Sequence, residues 1–373
     1  MKVMVLGLRA LLAQGGIETH VRDIVTAIAT AHPGTCQFEV IERSRHAGHQ
    51  PTPIPGVQTT QFWSPSYVGA ETIVHSTIAV LYAGIKRPDI VHIHAIGPSL
   101  LAPLARALGL RVVCTHHGED YKREKWGFVA RHMLQVGEWC AARFANAAIA
   151  IAPGLAARLT ARYNRPFLYI PNAARQIPPQ PADEILNRWD LTEGRYFLNV
   201  GRLVPEKRQL DLITAFIALP AGHDYKLVLV GGSDHESSYS KRVIEAAAQH
   251  PQIVVTGQQS REVLDRLYRH AGVFVLPSTH EGLPIALLEA MSCDLPVIVS
   301  DIEPLADLAL PADCYVQAES VTDLTTKLGS HIAVAGTPKR KNWSEFLRPF
   351  HLDAISDRTL QVYRSAATGA AGA

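Results

Sequence analysis

Two glutamates in the stretch HEGLPIALLE, Glu281 and Glu289, stand eight residues apart with mostly apolar residues between them. Pro284 favours a helix start, so Glu281 is expected at or just before a helix and Glu289 inside it. If all eight residues were helical, the carboxylates would lie about 12 Å apart along the axis. A glycosidase pair acting on one bond needs roughly 5–10 Å. The spacing therefore suits two ends of one elongated polar ligand; the alternative is one solvated glutamate and one on a helix surface.

Two cations in the segment NVGRLVPEKRQ, Arg202 and Lys207, lie between a predicted strand and a predicted helix. Cations near a helix N-terminus are unfavourable unless an anion joins them. A guanidinium group binds phosphate oxygens through its planar fork, and an ammonium group acts as a point charge. The pattern predicts a diphosphate site, and the alternative is two solvated surface cations.

Glycines also follow several predicted strands, where they would let the backbone approach a ligand closely. Gly15 and Gly16 precede the first predicted helix, whose free N-terminal amides would attract an anion. Gly257 ends a later predicted strand. The spacing is not the GxGxxG fingerprint, which disfavours a nicotinamide-dependent dehydrogenase. A plain turn remains the alternative for the glycine pair.

The segment THHGEDYKREKWG, residues 115–127, places many polar side chains directly after a predicted strand. A histidine at a strand end is a candidate partner for a sugar hydroxyl or a leaving group. The basic and aromatic residues suit an anionic acceptor or a membrane surface, and a solvated cationic loop is the alternative. The candidate acceptor-binding residues are His116, Glu119, Asp120, Lys122, Arg123 and Trp126.

No metal site is predicted. His92 and His94 alternate along a predicted strand, but no third ligand sits at a spacing typical of a metal site. The five cysteines form no CxxC pair and are odd in number, which favours reduced buried thiols over a disulfide framework.

Composition fits a folded soluble protein with two domains: 373 residues, 47% hydrophobic and 19% charged. A net charge of +2 is too balanced to indicate nucleic-acid binding. Arg9 interrupts the apolar N-terminal run, so we expect Lys2–Gly7 to be a buried strand rather than part of a signal peptide. No apolar run reaches the 18 or more residues typical of a membrane span.

Short apolar runs alternate with amphipathic stretches along the chain, which predicts βαβ units and parallel sheets covered on both faces. The expected strands are 3–8, 38–41, 89–95, 111–117, 147–152, 196–201, 225–232, 253–257, 273–278 and 296–300. The expected helices are 17–31, 98–108, 127–145, 207–218, 238–249, 261–271 and 284–293.

The segment PNAARQIPPQP interrupts this rhythm with four prolines in eleven residues, which predicts a linker. Two doubly wound domains joined by a linker would form a cleft. Ligands in such sheets bind outside the carboxyl ends of the strands, where the candidate residues stand.

Together, Gly15–Gly16, His117–Gly118, Gly201–Arg202 with Lys207, and the Glu281-x7-Glu289 block resemble the family 4 retaining glycosyltransferases of GT-B fold. The resemblance covers nearly the whole chain and is strongest over 195–303. It implies an α/β protein with two Rossmann-like doubly wound parallel-sheet domains facing a cleft, and a C-terminal helix packing back toward the N-domain. The expected parts are an acceptor domain 1–172, a linker 173–194, a nucleotide-sugar domain 195–345, a crossover helix 346–365 and a tail 366–373.

The resemblance also implies residue roles. Arg202 and Lys207 hold the donor diphosphate, Glu281 faces the donor sugar, and Glu289 binds the ribose. His117 contacts the sugar near the reacting carbon, and with Glu281, Arg202 and Lys207 it forms the implied catalytic group. The implied donor-binding set is Gly15, Gly16, Gly201, Arg202, Lys207, Gly257, Glu281, Gly282, Leu283 and Glu289. Two departures stand out, since Arg208 and Asp294 occupy positions where the family often has glycine.

The implied reaction moves a sugar from a nucleotide diphosphate sugar to a saccharide or lipid-linked saccharide, without metal or cofactor. It would serve bacterial polysaccharide or glycolipid biosynthesis, and HGEDYKREKWG is similar to a subgroup that often transfers rhamnose. We expect a cytoplasmic protein that associates peripherally with the anionic inner face of the cell membrane and has no nucleic-acid partner. A GT-B-like nucleotide-sugar epimerase, a phosphorylase and a non-catalytic nucleotide-sugar-binding scaffold remain open alternatives.

Overall fold

The computed structural model describes residues 1–48, 54–67, 70–123, 126–179, 184–233, 237–333 and 340–369. The chain divides into two compact units. The first unit comprises Met1–Ala173 and Pro349–Ala373, and the second comprises Ala174–Arg348. Each unit contains one parallel sheet.

The sheet of the first unit has seven parallel strands in the order β3-β2-β1-β4-β5-β6-β7. The order reverses direction between β1 and β4, and ligands of such sheets bind beside this switch point at the carboxyl ends of the strands. The strands are β1 (Lys2–Leu6), β2 (Gln37–Arg43), β3 (Val57–Phe62), β4 (Ile90–His94), β5 (Val112–His116), β6 (Ala147–Ala150) and β7 (Phe167–Tyr169).

Helices cover both faces of this sheet. In α1 the residues Val21, Ile24, Val25 and Ile28 recur at helical spacing and are buried in the same cluster as β1 and β2. The helices of this part of the chain are α1 (Gly16–Ala31), α2 (Ala70–Lys86), α3 (Ile96–Ser99), α4 (Ala102–Ala107), α5 (Phe128–Phe144) and α6 (Pro153–Tyr163).

The sheet of the second unit has six parallel strands in the order β10-β9-β8-β11-β12-β13, and its switch point lies between β8 and β11. The strands are β8 (Tyr196–Val200), β9 (Lys226–Val230), β10 (Ile253–Gly257), β11 (Val273–Leu276), β12 (Val297–Ser300) and β13 (Tyr315–Val316). The helices are α7 (Glu184–Arg188), α8 (Gln209–Ile217), α9 (Ser238–Ala248), α10 (Arg261–His270), α11 (Ile285–Ser292), α12 (Glu303–Ala306), α13 (Val321–Ile332) and α14 (Ser344–Leu347).

The C-terminal helix α15 (Leu352–Thr368) belongs to the first unit, where Ile355, Leu360 and Tyr363 join the core around α1. This return of the chain confirms the expected packing of the C-terminal helix. The helix begins at Leu352 rather than near 346, because the short helix α14 (Ser344–Leu347) gives way to a 3-10 turn over Arg348–Phe350, where Pro349 has no backbone N–H to continue an α-helix.

Two parallel sheets covered by helices confirm the predicted fold class, but several elements were missed. The strand β3 has a mostly polar sequence at the sheet edge, so it lacked the apolar run used to find the others. The expected helix at 98–108 is two helices, and Pro103 stands in the first turn of the second. The proposed linker 173–194 contains α7, and its residues 180–183, like 370–373 of the proposed tail, lie outside the described residues.

Among the described residues, we find no helix with both the length and the apolar character that crossing a membrane requires.

Candidate active site

Lys207 and Glu281 meet at the switch point of the second sheet. Lys207 ends the 3-10 turn Pro205–Lys207 after β8, and Glu281 lies in the loop between β11 and α11. The Nζ atom of Lys207 donates a hydrogen bond to Oε1 of Glu281 at 2.5 Å. The two side chains are 15% and 8% exposed, so water screens this ion pair only weakly. Parallel pairing of β8 and β11 brings these residues together from positions 74 apart.

Hydrogen bonds hold the loop after β8 in place. The buried Gln209 donates from Nε2 to the carbonyl oxygen of Arg202 at 2.9 Å, and Thr279 donates its N–H to the carbonyl oxygen of Glu206 at 2.9 Å. The first bond ties the half-buried Arg202 to the start of α8, and the second ties the turn containing Lys207 to the loop that carries Glu281. The loop is therefore fixed in shape before any ligand arrives.

Arg208 takes the left-handed backbone conformation, with φ of 55°. Glycine reaches this region without the steric cost of a Cβ atom, so the glycine that the family resemblance leads us to expect here would suit this conformation. Arg208 adopts it while its side chain bonds Asp211 at 2.7 Å from Nε to Oδ2. This departure from the family pattern therefore leaves the loop conformation intact.

Glycines stand at three strand ends of this unit, and a Cβ atom would meet different surroundings at each of them. A Cβ atom on Gly201 would lie at ordinary contact distance from the Lys207 side chain, so the lysine stem packs along this glycine. Gly257 has φ of 70° and open space where a Cβ would lie. Gly231, which was not among the predicted site residues, would press a Cβ atom against the carbonyl oxygen of Gly201. Close packing of the β8 and β9 ends thus depends on Gly231.

Glu289 contacts an arginine that sequence reasoning missed. It lies in α11, and its Oε1 is 3.6 Å from Nη2 of Arg175. Arg175 also binds the carboxylate of Asp265 on α10 through both terminal nitrogens, with 2.8 Å from Nη1 to Oδ2. All three side chains are mostly buried. Arg175 stands in the proline-rich segment, and its only signal in the sequence was a lone charge among apolar and proline residues.

The helix α11 begins at Ile285, so Glu281 lies outside it and the all-helical separation of the two glutamates does not apply. The half-buried Gly282 and the buried Leu283 complete the loop before the Pro284 cap. Glu281 and Glu289 therefore sit in different surroundings, one beside Lys207 and one beside Arg175.

Three histidines meet at the switch point of the first sheet: His20 on α1, His94 at the end of β4 and His117 after β5. One ring nitrogen of each lies within 4.8 Å of the other two. Nδ1 of His94 and Nε2 of His117 share a hydrogen bond of 3.0 Å. Only His117 among the three was a predicted site residue; the structure brings His20 and His94 to it from distant parts of the sequence.

Burial favours the neutral form of all three imidazoles. It lowers the pKa of His20 to about 4, partly opposed by Asp23 and a hydrogen bond with Asn172. Burial also holds the pKa values of His94 and His117 well below their usual range, and repulsion from neighbouring imidazoles lowers them further. At neutral pH His117 is therefore an uncharged hydrogen-bonding group rather than a cation.

His116 points into the first unit and not toward an open surface. Its Nε2 lies 2.9 Å from Oε2 of the fully buried Glu138, and its Nδ1 accepts the N–H of Gly118 at 3.2 Å. The other carboxylate oxygen of Glu138 accepts bonds from Arg162 Nη1 at 3.0 Å and the Tyr163 hydroxyl at 2.7 Å. Through these two bonds His116 is anchored to Glu138 and holds the N–H of Gly118, so the residues on both sides of His117 are fixed. The predicted contact of His116 with an acceptor does not fit the burial of its side chain.

The Glu138 carboxylate keeps its charge in this network. Burial alone would raise its pKa, but hydrogen bonding and charge interaction with His116, together with bonds from Tyr163 and Tyr121, hold the pKa below its usual value.

The charged residues of the loop after β5 are paired among themselves and with α6. Oε2 of Glu119 accepts bonds from Lys122 Nζ at 2.7 Å and Arg158 Nη2 at 3.1 Å. Asp120 lies 3.2 Å from Arg123 between Oδ1 and Nη1. Of the remaining basic and aromatic residues, Trp126 is half-buried and Lys125 lies outside the described residues. The charged side chains that the structure describes in this loop are thus paired with opposite charges, and the contact of the loop with an acceptor stays a prediction.

Gly15 caps α1, and the next residue, Gly16, is exposed with open space where a Cβ would lie. Glu18 folds the preceding loop, because its Oε1 accepts bonds from both the backbone N–H and Nε of Arg9 at 3.1 Å. The N-terminus of α1 therefore presents a bare backbone beside the carboxyl end of β1.

Two family models match the chain. Residues 14–174 match "Glycosyltransferase Family 4", and residues 182–347 match "Glycosyl transferases group 1". The first match falls in the first unit and the second match in the second unit.

The chain is similar in sequence to bacterial enzymes named for sugar transfer. It is 33% identical to the O-antigen chain mannosyltransferase B of Escherichia coli over 145 residues, which are 37% of this chain and 38% of that protein. The chain thus matches roughly a third of the length of the first curated relatives. The 2-deoxystreptamine N-acetyl-D-glucosaminyltransferase of Streptomyces fradiae is 24% identical, over 100% of this chain and 92% of that protein.

Solved structures share the fold over nearly the whole chain. The sucrose-phosphate synthase of Thermosynechococcus elongatus superposes with a TM-score of 0.82 at 21% identity, over 98% of both chains. An Anabaena protein in complex with UDP and glucose superposes with a TM-score of 0.76 at 15% identity, over 98% of this chain and 99% of that one. At these identities the likeness concerns the fold alone.

Proposed function

Since the chain belongs to the family 4 glycosyltransferases, we propose that it transfers a sugar from a nucleotide diphosphate sugar to a hydroxyl group of a saccharide acceptor. The observation that carries the proposal is the contact between Lys207 and Glu281 at the switch point of the second sheet. A lysine held beside a carboxylate at this point can bind phosphate, while the carboxylate accepts hydrogen bonds from sugar hydroxyls.

Lys207 and Arg202 are proposed to bind the diphosphate of the donor. Both follow β8, and hydrogen bonds to Gln209 and between Glu206 and Thr279 fix their loop. Negative charge grows on the diphosphate as the sugar departs, so a prepositioned cation stabilises the transition state more than the ground state. A well-placed donor of this kind contributes about 3–4 kcal/mol.

Glu289 is proposed to bind the ribose hydroxyls of the donor. Its contact with Arg175 limits the rotation of the carboxylate, whose oxygens can accept hydrogen bonds from both hydroxyl groups. The ion pair of Arg175 with Asp265 holds the arginine in turn. Arg175 therefore supports the nucleotide end of the site.

The transfer is proposed to retain the configuration of the anomeric carbon and to need no metal ion. The bond between the anomeric carbon and the phosphate oxygen breaks, and the acceptor oxygen attacks the same face. The leaving phosphate oxygen takes the acceptor proton, so charge and atoms balance without an enzyme nucleophile. His117, neutral at pH 7, is proposed to hydrogen-bond the donor sugar. Proton NMR of the fresh product would reveal its anomeric configuration, and an inverted product would contradict this mechanism.

The acceptor is proposed to be a saccharide, free or carried on a lipid, in bacterial polysaccharide or glycolipid synthesis. The relatives are named for mannose and N-acetylglucosamine transfer, so they leave the transferred sugar open. The rhamnose-transferring subgroup also stays a prediction.

Peripheral membrane binding is proposed at the start of α5, where Phe128 and Val129 are 87% and 70% exposed. Large exposed apolar side chains beside a polar helix face suit insertion at a lipid surface. The protein should float with anionic vesicles, and Phe128→Ser should weaken flotation at both low and high salt. Binding abolished by salt and unaffected by Phe128→Ser would contradict apolar insertion.

A thermal-shift panel of UDP, GDP, ADP and dTDP and their sugars tests the donor site, because a ligand that binds only the folded state stabilises it. Donors that raise the Tm are then incubated with saccharide acceptors. Transfer supports the proposal. An epimer formed from the donor alone would indicate an epimerase, and tight donor binding without turnover on any acceptor would indicate a scaffold. If no nucleotide raises the Tm, the donor assignment is wrong.

A further inference from the structure

The histidine cluster, defined as His20, His94 and His117, has the composition of a transition-metal site. Its members come from three different elements, α1, the end of β4 and the loop after β5, which the topology brings together at one switch point. One ring nitrogen of each lies within 4.8 Å of the others. The three histidines are far apart in the sequence, so no motif within one segment predicts that they meet.

The nitrogen separations approach those of a metal coordination sphere. Tetrahedral zinc with Zn–N bonds of about 2.0–2.1 Å places its ligand nitrogens about 3.3 Å apart. The His94 and His117 nitrogens already lie 3.0 Å apart across a shared hydrogen bond. The third nitrogen lies within 4.8 Å of both, so a displacement of at most about 1.5 Å would bring it to that distance. A metal ion between them would then bind both imidazoles through lone pairs, and the imidazole that had donated the hydrogen bond would carry its proton on the other ring nitrogen.

An imidazole binds a metal ion through the lone pair of a ring nitrogen that carries no proton. Nδ1 of His20 is buried and has no hydrogen-bond partner among the described residues. The half-buried His117 gives solvent access to the cluster, so a water molecule can complete the coordination sphere.

The neighbouring His92 does not belong to the set. Its Nδ1 is 2.7 Å from the Tyr363 hydroxyl and its Nε2 is 2.7 Å from Oγ1 of Thr115, so both nitrogens have partners. His92 instead packs against His94, with ring centroids 4.0 Å apart and an angle of 39° between the ring planes. Supporting contacts of this kind orient the ligands of metal sites.

We propose that His20, His94 and His117 bind one divalent transition-metal ion of the class that prefers imidazole ligands, with Zn²⁺ as the reference case, and that the bound ion inhibits the enzyme. Co²⁺, Ni²⁺ and Cu²⁺ share the preference, whereas Mg²⁺ and Ca²⁺ favour oxygen ligands. The inhibitory part rests on the proposed function, because it requires His117 to contact the donor sugar. An ion bound to Nε2 of His117 places positive charge beside the donor sugar, whose anomeric carbon becomes more positive as the phosphate departs, so the ion acts as an inhibitor and not as a cofactor.

The binding test uses full-length protein without a histidine tag. Calorimetry with ZnCl₂ should give one site, and Co²⁺ should give the visible absorption of a tetrahedral complex. His117→Gln and His20→Gln should each weaken Zn²⁺ binding at least tenfold, whereas His132→Gln, which changes an exposed histidine on α5, should not. Equal Zn²⁺ affinity in all four proteins would overturn the site, since it would place the ion on surface histidines.

Circular dichroism checks the fold of each variant. The half-buried His117 is the safest position to substitute, so loss of binding in folded His117→Gln supports the site even if His20→Gln fails to fold.

The inhibition experiment adds Zn²⁺ or Mg²⁺ to the transfer assay. Inhibition by Zn²⁺ alone, reversed by EDTA, is expected, and Zn²⁺ bound at the cluster without inhibition would overturn the regulatory part. Calorimetry needs no turnover, so absence of transferase activity leaves the binding result decisive.

Discussion

The Nζ atom of Lys207 lies 2.5 Å from Oε1 of Glu281, and this contact joins the loops after two adjacent parallel strands. The lysine has a counter-ion before any donor is present, so its ammonium group is already oriented toward the switch point. The carboxylate is held likewise. Because the two side chains are paired, a substitution at either residue also removes the counter-ion of the other.

Lys207→Ala should lower kcat about 10²–10³-fold, because it removes a prepositioned cation from the leaving diphosphate. Steady-state kinetics with a saturating acceptor would measure the effect. Lys241→Ala, which removes an exposed lysine of α9, serves as the matched control and should leave kcat unchanged. A fully active Lys207→Ala would refute the diphosphate assignment.

Glu281→Ala and Glu289→Ala should fail in different ways. Glu281→Ala removes the group proposed to face the sugar, so it should lower turnover and relax the choice of sugar. Glu289→Ala should mainly raise the Kd for the nucleoside diphosphate, about tenfold or more for one hydrogen-bonded charged group. Calorimetry with the nucleoside diphosphate separates the two. If both variants change only the Tm, the glutamates are structural.

Glu138→Ala should lower kcat at least tenfold while the KM for the donor changes little, because Glu138 positions His117 through His116 and the nucleotide contacts belong to the second unit. It should also cost about 3–5 kcal/mol of stability, since it leaves buried partners without their anion. Glu138→Gln keeps one acceptor oxygen, which can still accept from Nε2 of His116, and should recover part of kcat. A purely structural role predicts instead that kcat per folded molecule is unchanged in both variants.

Stability should fall as the pH drops from about 7 to 5. Burial lowers the pKa of His92 to about 3 and that of His20 to about 4, so the folded state resists protons that the unfolded chain takes up below pH 6.5. Each imidazole that stays neutral at pH 5 costs about 2 kcal/mol relative to pH 7.5. Carboxylates with lowered pKa values, such as Glu138, contribute only below about pH 4.5.

Urea unfolding at pH 7.5 and pH 5, with EDTA present, would measure this loss. His20→Gln should reduce the pH dependence by about 2 kcal/mol, whereas His132→Gln should leave it unchanged. Identical pH dependence in His20→Gln and the unmodified protein would show that His20 does not contribute.

The sequence by itself determined most of the fold and the residue types of the second-unit site. Near-continuous apolar strands such as those over 225–232 and 296–300 predict buried parallel strands, because only such strands need apolar residues on both faces. The Glu281-x7-Glu289 block and Arg202 with Lys207 stand within single segments, so their spacing is visible along the chain. Weakly apolar strands such as β3 were not predicted, because β3 is stabilised by pairing with β2 rather than by an apolar run of its own.

Tertiary structure alone decided which residues meet. The pairings of Lys207 with Glu281, Arg175 with Glu289 and His116 with Glu138 join residues from separate elements. The histidine cluster does the same across α1, β4 and β5. Such contacts depend on strand order, since a parallel sheet brings together the carboxyl ends of adjacent strands whatever their separation along the chain. Burial then sets their chemistry, because the pKa of a histidine depends on neighbours that the linear sequence does not specify.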